Sequence, residues 1–191
     1  MIGLKGKNPA MKTVKISLRP LQVNDLPLMH RWLNTPHVSQ WWNLDGNHHP
    51  TPEEVNRKYS PRIAGKEPVN CYIIHYGGKP IGMIQCYDLD DYPAEKETFG
   101  VTGKCTGIDI FIGEEEYVHQ GLGSSIIRTF LTEVVFANPE TQCAVIDPYI
   151  ENEIAIKAYQ KAGFRYFKTV WYKTDEAREA IYTIRRNEIE E

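Results

Sequence analysis

Apolar residues recur along this chain with two periods, and the changes of period mark its elements. From Thr13 the segment TVKISLRP alternates, with Val14, Ile16 and Leu18 on one side, as a half-buried strand does. In NDLPLMHRWLN, Asn24 or Asp25 offers an N-cap and Leu28, Met29 and Trp32 return at helical intervals. After the loop TPHVSQWWNLDGNHHP, Thr51-Pro52-Glu53-Glu54 reads as a capping box. The Thr hydroxyl serves the third backbone N–H, Glu54 reaches back and Pro52 needs no donor, so a second helix begins near Pro52.

Two β-rich runs follow, CYIIHY and KPIGMIQCY, and the Gly77-Gly78 pair between them signals a hairpin. TGIDIFIG, residues 106–113, is a further strand. It leads through a glycine-rich loop into a helix whose Leu122, Ile126, Ile127, Phe130, Leu131, Val134 and Val135 form one stripe. QCAVIDP is an apolar strand stopped by Pro148, and a helix from about Asn152 to Ala162 ends at Gly163. FKTVWYK and AIYTIRR are two closing strands flanking a charged turn, TDEARE. The order predicts an α+β fold with a mixed, mostly antiparallel sheet flanked by helices, and a parallel crossover over residues 106–147. Residues 1–12 lack periodicity and read as a loose lead-in; one domain is expected over 13–191.

Composition narrows the function classes. A net charge of -3 argues against a broad nucleic-acid footprint, which needs a surplus of Lys and Arg, and a partner chosen by charge is expected to be cationic. No apolar run reaches the roughly 18 residues of a membrane span. Cys71, Cys86, Cys105 and Cys143 are far apart, with no C-x-x-C pair and no signal-like h-region, so reduced thiols in a cytoplasmic protein are expected. The six histidines form no H-E-x-x-H or Cys/His cluster, and no metal site is expected; His48-His49 reads as a solvated pair.

The loop HQGLGS is neither a Walker A loop nor a G-x-G-x-x-G fingerprint. What remains is physical. Gly121 and Gly123 let backbone N–H groups approach a ligand at a helix N-terminus whose dipole favours an anion. A tight strand-to-helix turn with no ligand is the plain alternative. Some thirty residues on, DPYIENEIAIKAYQKAGF carries Asn152, Ala155, Tyr159 and Gly163-Phe164 at fixed helical spacing.

With these two motifs in this order, residues 106–165 resemble the GCN5-related N-acetyltransferase (GNAT) superfamily. That resemblance implies a loop that binds the pyrophosphate of acetyl-coenzyme A, with His119, Gln120, Gly121, Leu122, Gly123, Ser124 and Ser125 around it. It also implies that Asn152, Ala155 and Tyr159 lie beside the pantetheine and thiol. The family's usual Arg or Gln three residues before the first glycine is Val118 here. Longer strings, from Trp32 to Trp42 and through PIGMIQCY and GIDIFIGEEEY, look like the aminoglycoside 6'-N-acetyltransferases. The siderophore-pathway acyltransferases that modify hydroxylysine share the FIGEEEY and GLGS region.

Acetyl transfer to an amine needs a neutral nucleophile, stabilisation of the thioester carbonyl oxygen and a proton for the leaving thiolate. By the resemblance, backbone N–H groups of Ile110, Phe111 and Ile112 serve the carbonyl and Tyr159 donates the proton; Tyr159 otherwise reads as a core aromatic. Asp109 interrupts an apolar strand where a charge is costly without a partner or a task. The resemblance gives it the ammonium of the acceptor, whereas alternation alone would point it to solvent. Asp147 matches a second acceptor-side aspartate, or caps the turn at Pro148. The run DLDDYPAEKE puts Asp88, Asp90 and Asp91 with Glu95 and Glu97 against one Lys, a solvated face or a negative rim for a polycationic aminosugar. Gln85 and Tyr87 are expected to hydrogen-bond sugar hydroxyls, and of Trp41 and Trp42 one is expected to wall a sugar ring and one to anchor the loop. The reading is an acetyl-CoA-dependent N-acetyltransferase whose expected acceptor, a cationic small-molecule amine, is an aminoglycoside antibiotic attacked at its 6'-amine in a ternary complex, giving resistance. Hydroxylysine, a polyamine or a protein N-terminus are alternative acceptors, and a CoA-binding regulatory module is the non-enzymatic alternative.

Overall fold

The computed structural model describes residues 15–42, 46, 48–172 and 177–189. Thr13 and Val14, the lead-in over 1–12 and the first half of the charged turn TDEARE lie outside them. Seven strands form one sheet in the order β1-β2-β3-β4-β5-β7-β6. They are β1 (Ile16–Pro20), β2 (Val69–Tyr76), β3 (Lys79–Asp88), β4 (Cys105–Ile112), β5 (Cys143–Ile146), β6 (Arg165–Tyr172) and β7 (Ala177–Arg185). Every neighbouring pair is antiparallel except β4 with β5, the expected crossover.

Among the described residues six α-helices flank the sheet: α1 (Leu26–Leu33), α2 (Pro36–Ser39), α3 (Pro52–Ile63), α4 (Pro93–Phe99), α5 (Leu122–Phe130) and α6 (Glu153–Ala162). At the start of α3 the capping box forms as its spacing predicts. Thr51 Oγ1 accepts from the Glu54 N–H at 3.2 Å, and the Thr51 N–H donates to Glu54 Oε2 at 2.8 Å. The helical stripe after α5 runs on as a π-helical turn over Leu131–Val135. Helix α4 was not read from the sequence. Its charged residues hid the Pro93 start and the left-handed Gly100 stop, and Phe99 is its one buried residue.

The central strands are apolar on both faces because both are covered. On one face Ile74, Ile84, Ile108 and Ile184 meet Ile126, Ile127 and Phe130 of α5 and Tyr159 and Ala162 of α6. On the other, Ile73, Met83 and Phe111 meet Met29 and Trp32 of α1 and Val55 and Tyr59 of α3. A smaller cluster under α4 joins Leu89 and Phe99 to Val145 and Ile181.

One expectation is corrected here. Cys105 and Cys143 are partners in the β4–β5 register, with Cα atoms 4.7 Å apart, and their sulfurs are bonded as a disulfide. A cross-strand pair 38 residues apart in sequence has no local signature. Cys71 and Cys86 are buried free thiols. His48 is exposed, with Nδ1 against the Ser39 carbonyl oxygen. Among the described residues no helix is long and apolar enough to cross a membrane, and no group of three or more His, Cys, Asp or Glu is placed to hold a metal ion.

Candidate active site

The site exists because two parallel strands part. β4 and β5 pair only at Cys105–Cys143, Thr106–Ala144 and Gly107–Val145. Beyond Gly107, residues 108–112 of β4 stay paired to β3, while their other edge opens on a cavity of about 690 Å³. That volume suits a small-molecule ligand. β4, the loop after it, the start of α5, the end of β5 and α6 line it, with Trp41 and Trp42 closing one side.

One wall is the glycine-rich loop. His119 takes a positive φ of 62°, Gly121 follows at 73° as the N-cap of α5, and α5 runs nine residues from there with no acidic residue in its first turn. Space is open where a Cβ on Gly121 would lie, whereas one on Gly123 would come within 3.2 Å of Ala158 Cβ. The small residue therefore brings α5 against α6. His119, Gly121, Leu122, Gly123 and Ser124 line the cavity, and so does Val118 in extended conformation. Gln120 and Ser125 are exposed and do not line it. The amides at the head of α5, unshielded by acidic side chains, fit an anionic ligand.

The facing helix α6 is capped by Asn152, whose Oδ1 accepts from the Ala155 N–H at 3.2 Å, and Gly163 closes it at φ 109° as the sequence predicts. Asn152, Ala155 and Tyr159 all line the cavity. Tyr159 is 7% exposed, and burial, then the nearby Asp109 and Asp147 charges, push its hydroxyl pKa upward, so it stays protonated.

The floor is acidic. Asp109 on β4 and Asp147 just past β5 both line the cavity. Desolvation raises the Asp109 pKa, while the Gln85 amide, donating from Nε2 to Oδ2 at 2.7 Å, and the Arg62 charge oppose it. Asp147 is raised further, first by desolvation, then by the charges of Asp109, Glu179 and Glu95 and by a hydrogen bond with Glu179. Glu179 lines the cavity as well; Glu95 sits behind, accepting from the Tyr87 hydroxyl at 2.5 Å.

Five of the expected acceptor contacts lie off the cavity, whereas Trp41 and Trp42 line it. Gln85 and Tyr87 do not line the cavity: Gln85 bridges Asp109 and Arg62, and Tyr87 binds Glu95. Asp88, Asp90 and Asp91 also lie off it. Lys104 stands 2.5 Å from Asp88, and Lys96 pairs with Asp90. Lys96 is the one lysine of the run itself, whereas Lys104 comes from the loop beyond α4 and was not part of the charge pattern. Trp42 packs edge-on against Phe111 at 4.9 Å, whereas Trp41 faces Tyr149 at 6.3 Å between ring centroids. Missed from the sequence were Glu179, Tyr149 and His37, whose Nε2 lies 3.1 Å from the Ile112 carbonyl oxygen. Glu179 sits in an ordinary strand, and the isolated bridge of Tyr149 to Glu179 holds it beside the floor.

Three comparisons bear on this arrangement. A family model described as an acetyltransferase (GNAT) domain matches residues 22–171. The aminoglycoside N(6')-acetyltransferase type 1 of Klebsiella pneumoniae is 33% identical over 159 residues, 81% of this chain and 76% of that protein. The solved structure of AAC(6')-Ib in complex with ribostamycin and coenzyme A superposes with a TM-score of 0.76 at 29% identity, covering 92% of this chain and 96% of that one. The lysine N-acyltransferase MbtK of Mycolicibacterium paratuberculosis is 23% identical over 177 residues, 88% of this chain and 72% of that protein.

Proposed function

The chain belongs to the GNAT acetyltransferase family, and from that premise we propose that it moves the acetyl group of acetyl-coenzyme A to the 6'-amine of an aminoglycoside, by direct attack with both substrates bound. The observation that carries the acceptor is the floor of the cavity, where Asp109, Asp147 and Glu179 converge. Carboxylates crowded out of water repel one another, and a ligand bearing several ammonium groups relieves that repulsion. An acceptor with a single amine has less to offer it.

The roles follow from position. The head of α5, with the amides from Gly121 to Ser124, would hold the pyrophosphate, and Asn152 and Ala155 would border the arm that carries the thiol. Acetyl-coenzyme A supplies a thioester, an acyl group already activated toward an amine. Along β4 the N–H groups alternate, so at the open edge those of Ile110 and Ile112 are offered to the carbonyl oxygen while that of Phe111, expected there from the resemblance, turns toward β3. Asp109 binds the attacked amine and accepts its proton, a task favoured by a carboxylate whose pKa burial has raised toward neutrality. Tyr159, kept protonated by burial, is the donor for the departing sulfur. Trp41 and Tyr149 offer flat walls for a sugar ring.

The test is thiol release from acetyl-CoA against a panel of kanamycin-type aminoglycosides, hydroxylysine and spermidine. The reading expects release with the aminoglycosides at kcat/KM at least tenfold above the others, and a product acetylated on the 6'-nitrogen. Release with hydroxylysine alone would instead support the siderophore-pathway acceptor. CoA binding without turnover on any amine would leave a binding module.

A further inference from the structure

Behind the acidic floor runs a line of hydrogen bonds that ends on a cation. Arg62, in the last turn of α3, donates from Nε to Glu67 Oε2 at 3.1 Å and from Nη1 to Gln85 Oε1 at 2.9 Å. Gln85 then donates from Nε2 to Asp109 Oδ2 at 2.7 Å. Gln85 is 6% exposed and the Arg62 side chain 11%, so water contributes little to either bond. An amide can present either end to a neighbour. A guanidinium has donors only, so it takes the oxygen and turns the NH₂ group toward Asp109. The Cys71 thiol, 3.5 Å from the same oxygen, acts in the same sense.

Arg62 itself is not among the residues lining the cavity. We infer that Arg62 is a positioning residue for acetyl transfer: acting through the Gln85 amide, it holds Asp109 as a carboxylate and ties down one of its two oxygens. The inference rests on Asp109 having the role given above in the reaction.

The charges around Asp109 show why such a cation is needed. Desolvation favours protonation of Asp109, and across the floor the charges of Asp109, Glu179 and Glu95 favour protonation of Asp147. The thiols of Cys71 and Cys86 are pushed up by burial to about 11 and about 12, and the phenols of Tyr59, Tyr87 and Tyr159 are raised too, so these groups stay neutral. The Arg62 charge, kept permanently by its partners, works against the protonation of Asp109. Glu67, 42% exposed, orients the guanidinium from the side away from Gln85.

The experiment compares parent, Arg62→Met and Arg62→Lys by the pH profile of kcat/KM for whichever amine the parent acetylates. The Asp109 carboxyl is also titrated by ¹³C NMR in aspartate-labelled protein, its signal identified by its loss in Asp109→Asn. In Arg62→Met, the acid limb and the Asp109 midpoint both move up by about one pH unit. Turnover is then lost about tenfold below the limb and regained above it, with the KM for acetyl-CoA unchanged. Arg62→Lys, which keeps the charge, shifts less than half as far. An unmoved limb and midpoint in Arg62→Met overturn the inference, and so does a loss that is uniform across pH. If Arg62→Met does not fold, Gln85→Leu must raise the Asp109 midpoint in its place, and an unmoved midpoint there overturns the inference. The NMR titration needs no substrate. A parent inactive on aminoglycosides therefore sinks the acceptor reading while still deciding the role of Arg62.

Discussion

Asp109 and Asp147 each stand two residues past Gly107 and Val145, the last pair that β4 and β5 make before they separate. One geometric event thus opens the cavity and places two carboxylates at its floor. Packed on their other sides by protein, they are driven toward the protonated form.

Protonation favoured in the folded state makes stability depend on pH with a definite sign. The folded protein binds protons that the unfolded chain has already released, so stability falls as pH rises from the usual aspartate range through the raised Asp147 value. Asp147→Asn removes part of this fall. The variant should be more stable than the parent by about 1 kcal/mol at pH 7 to 8 and should converge on it near pH 4. Thermal unfolding across that range checks this, and a gap that widens toward acid would contradict it. The same variant is expected to bind an aminoglycoside roughly tenfold more weakly, as loss of a charge-assisted partner implies.

The head of α5 tests the cofactor wall. Gly123→Val forces a branched side chain where even a Cβ lies 3.2 Å from Ala158. Coenzyme A affinity by calorimetry should fall at least tenfold as α5 and α6 move apart. Gly121→Ala meets open space but must adopt φ near 73°. Its cost should be about 1 kcal/mol in stability, with a smaller effect on affinity.

Tyr159→Phe removes one oxygen from a side chain already packed among the core residues of α6. As proton donor, the hydroxyl should matter to turnover alone. We expect kcat down by about 10²-fold, with coenzyme A affinity within threefold of the parent. An unchanged kcat would return Tyr159 to a packing role.

The bond between Cys105 and Cys143 clamps the two strands just before they part. Closing a 38-residue separation restricts the unfolded chain by up to roughly 4 kcal/mol. Added reductant, or Cys143→Ala, should therefore lower the melting temperature by several degrees or more. Equal melting curves with and without reductant would remove the bond from the stability of the protein.

Much of this architecture was legible from local signals, because those signals act over a few residues. The Thr51–Glu54 box, the Gly77-Gly78 turn and the Gly163 stop each form within one turn of chain, where the motif is itself the structure. The loop at Gly121 and Gly123 and the residues Asn152, Ala155 and Tyr159 drew notice through their resemblance to a family motif, and the α5–α6 contact brings them to one cavity. Asp109 drew notice as a charge within an apolar run.

Tertiary structure decided whatever depends on which strand lies beside which. Spacing along the chain carries no record that Cys105 faces Cys143, that Lys104 turns back on Asp88, or that Glu179 reaches the side of Asp147. Gln85 was read from sequence as a hand for the substrate. Folded, it stands one layer behind, between Arg62 and Asp109. A side chain's protonation and hydrogen-bond partners depend on the water excluded around it and the charges brought near it. Both are products of packing between distant segments, and only the folded chain assembles them.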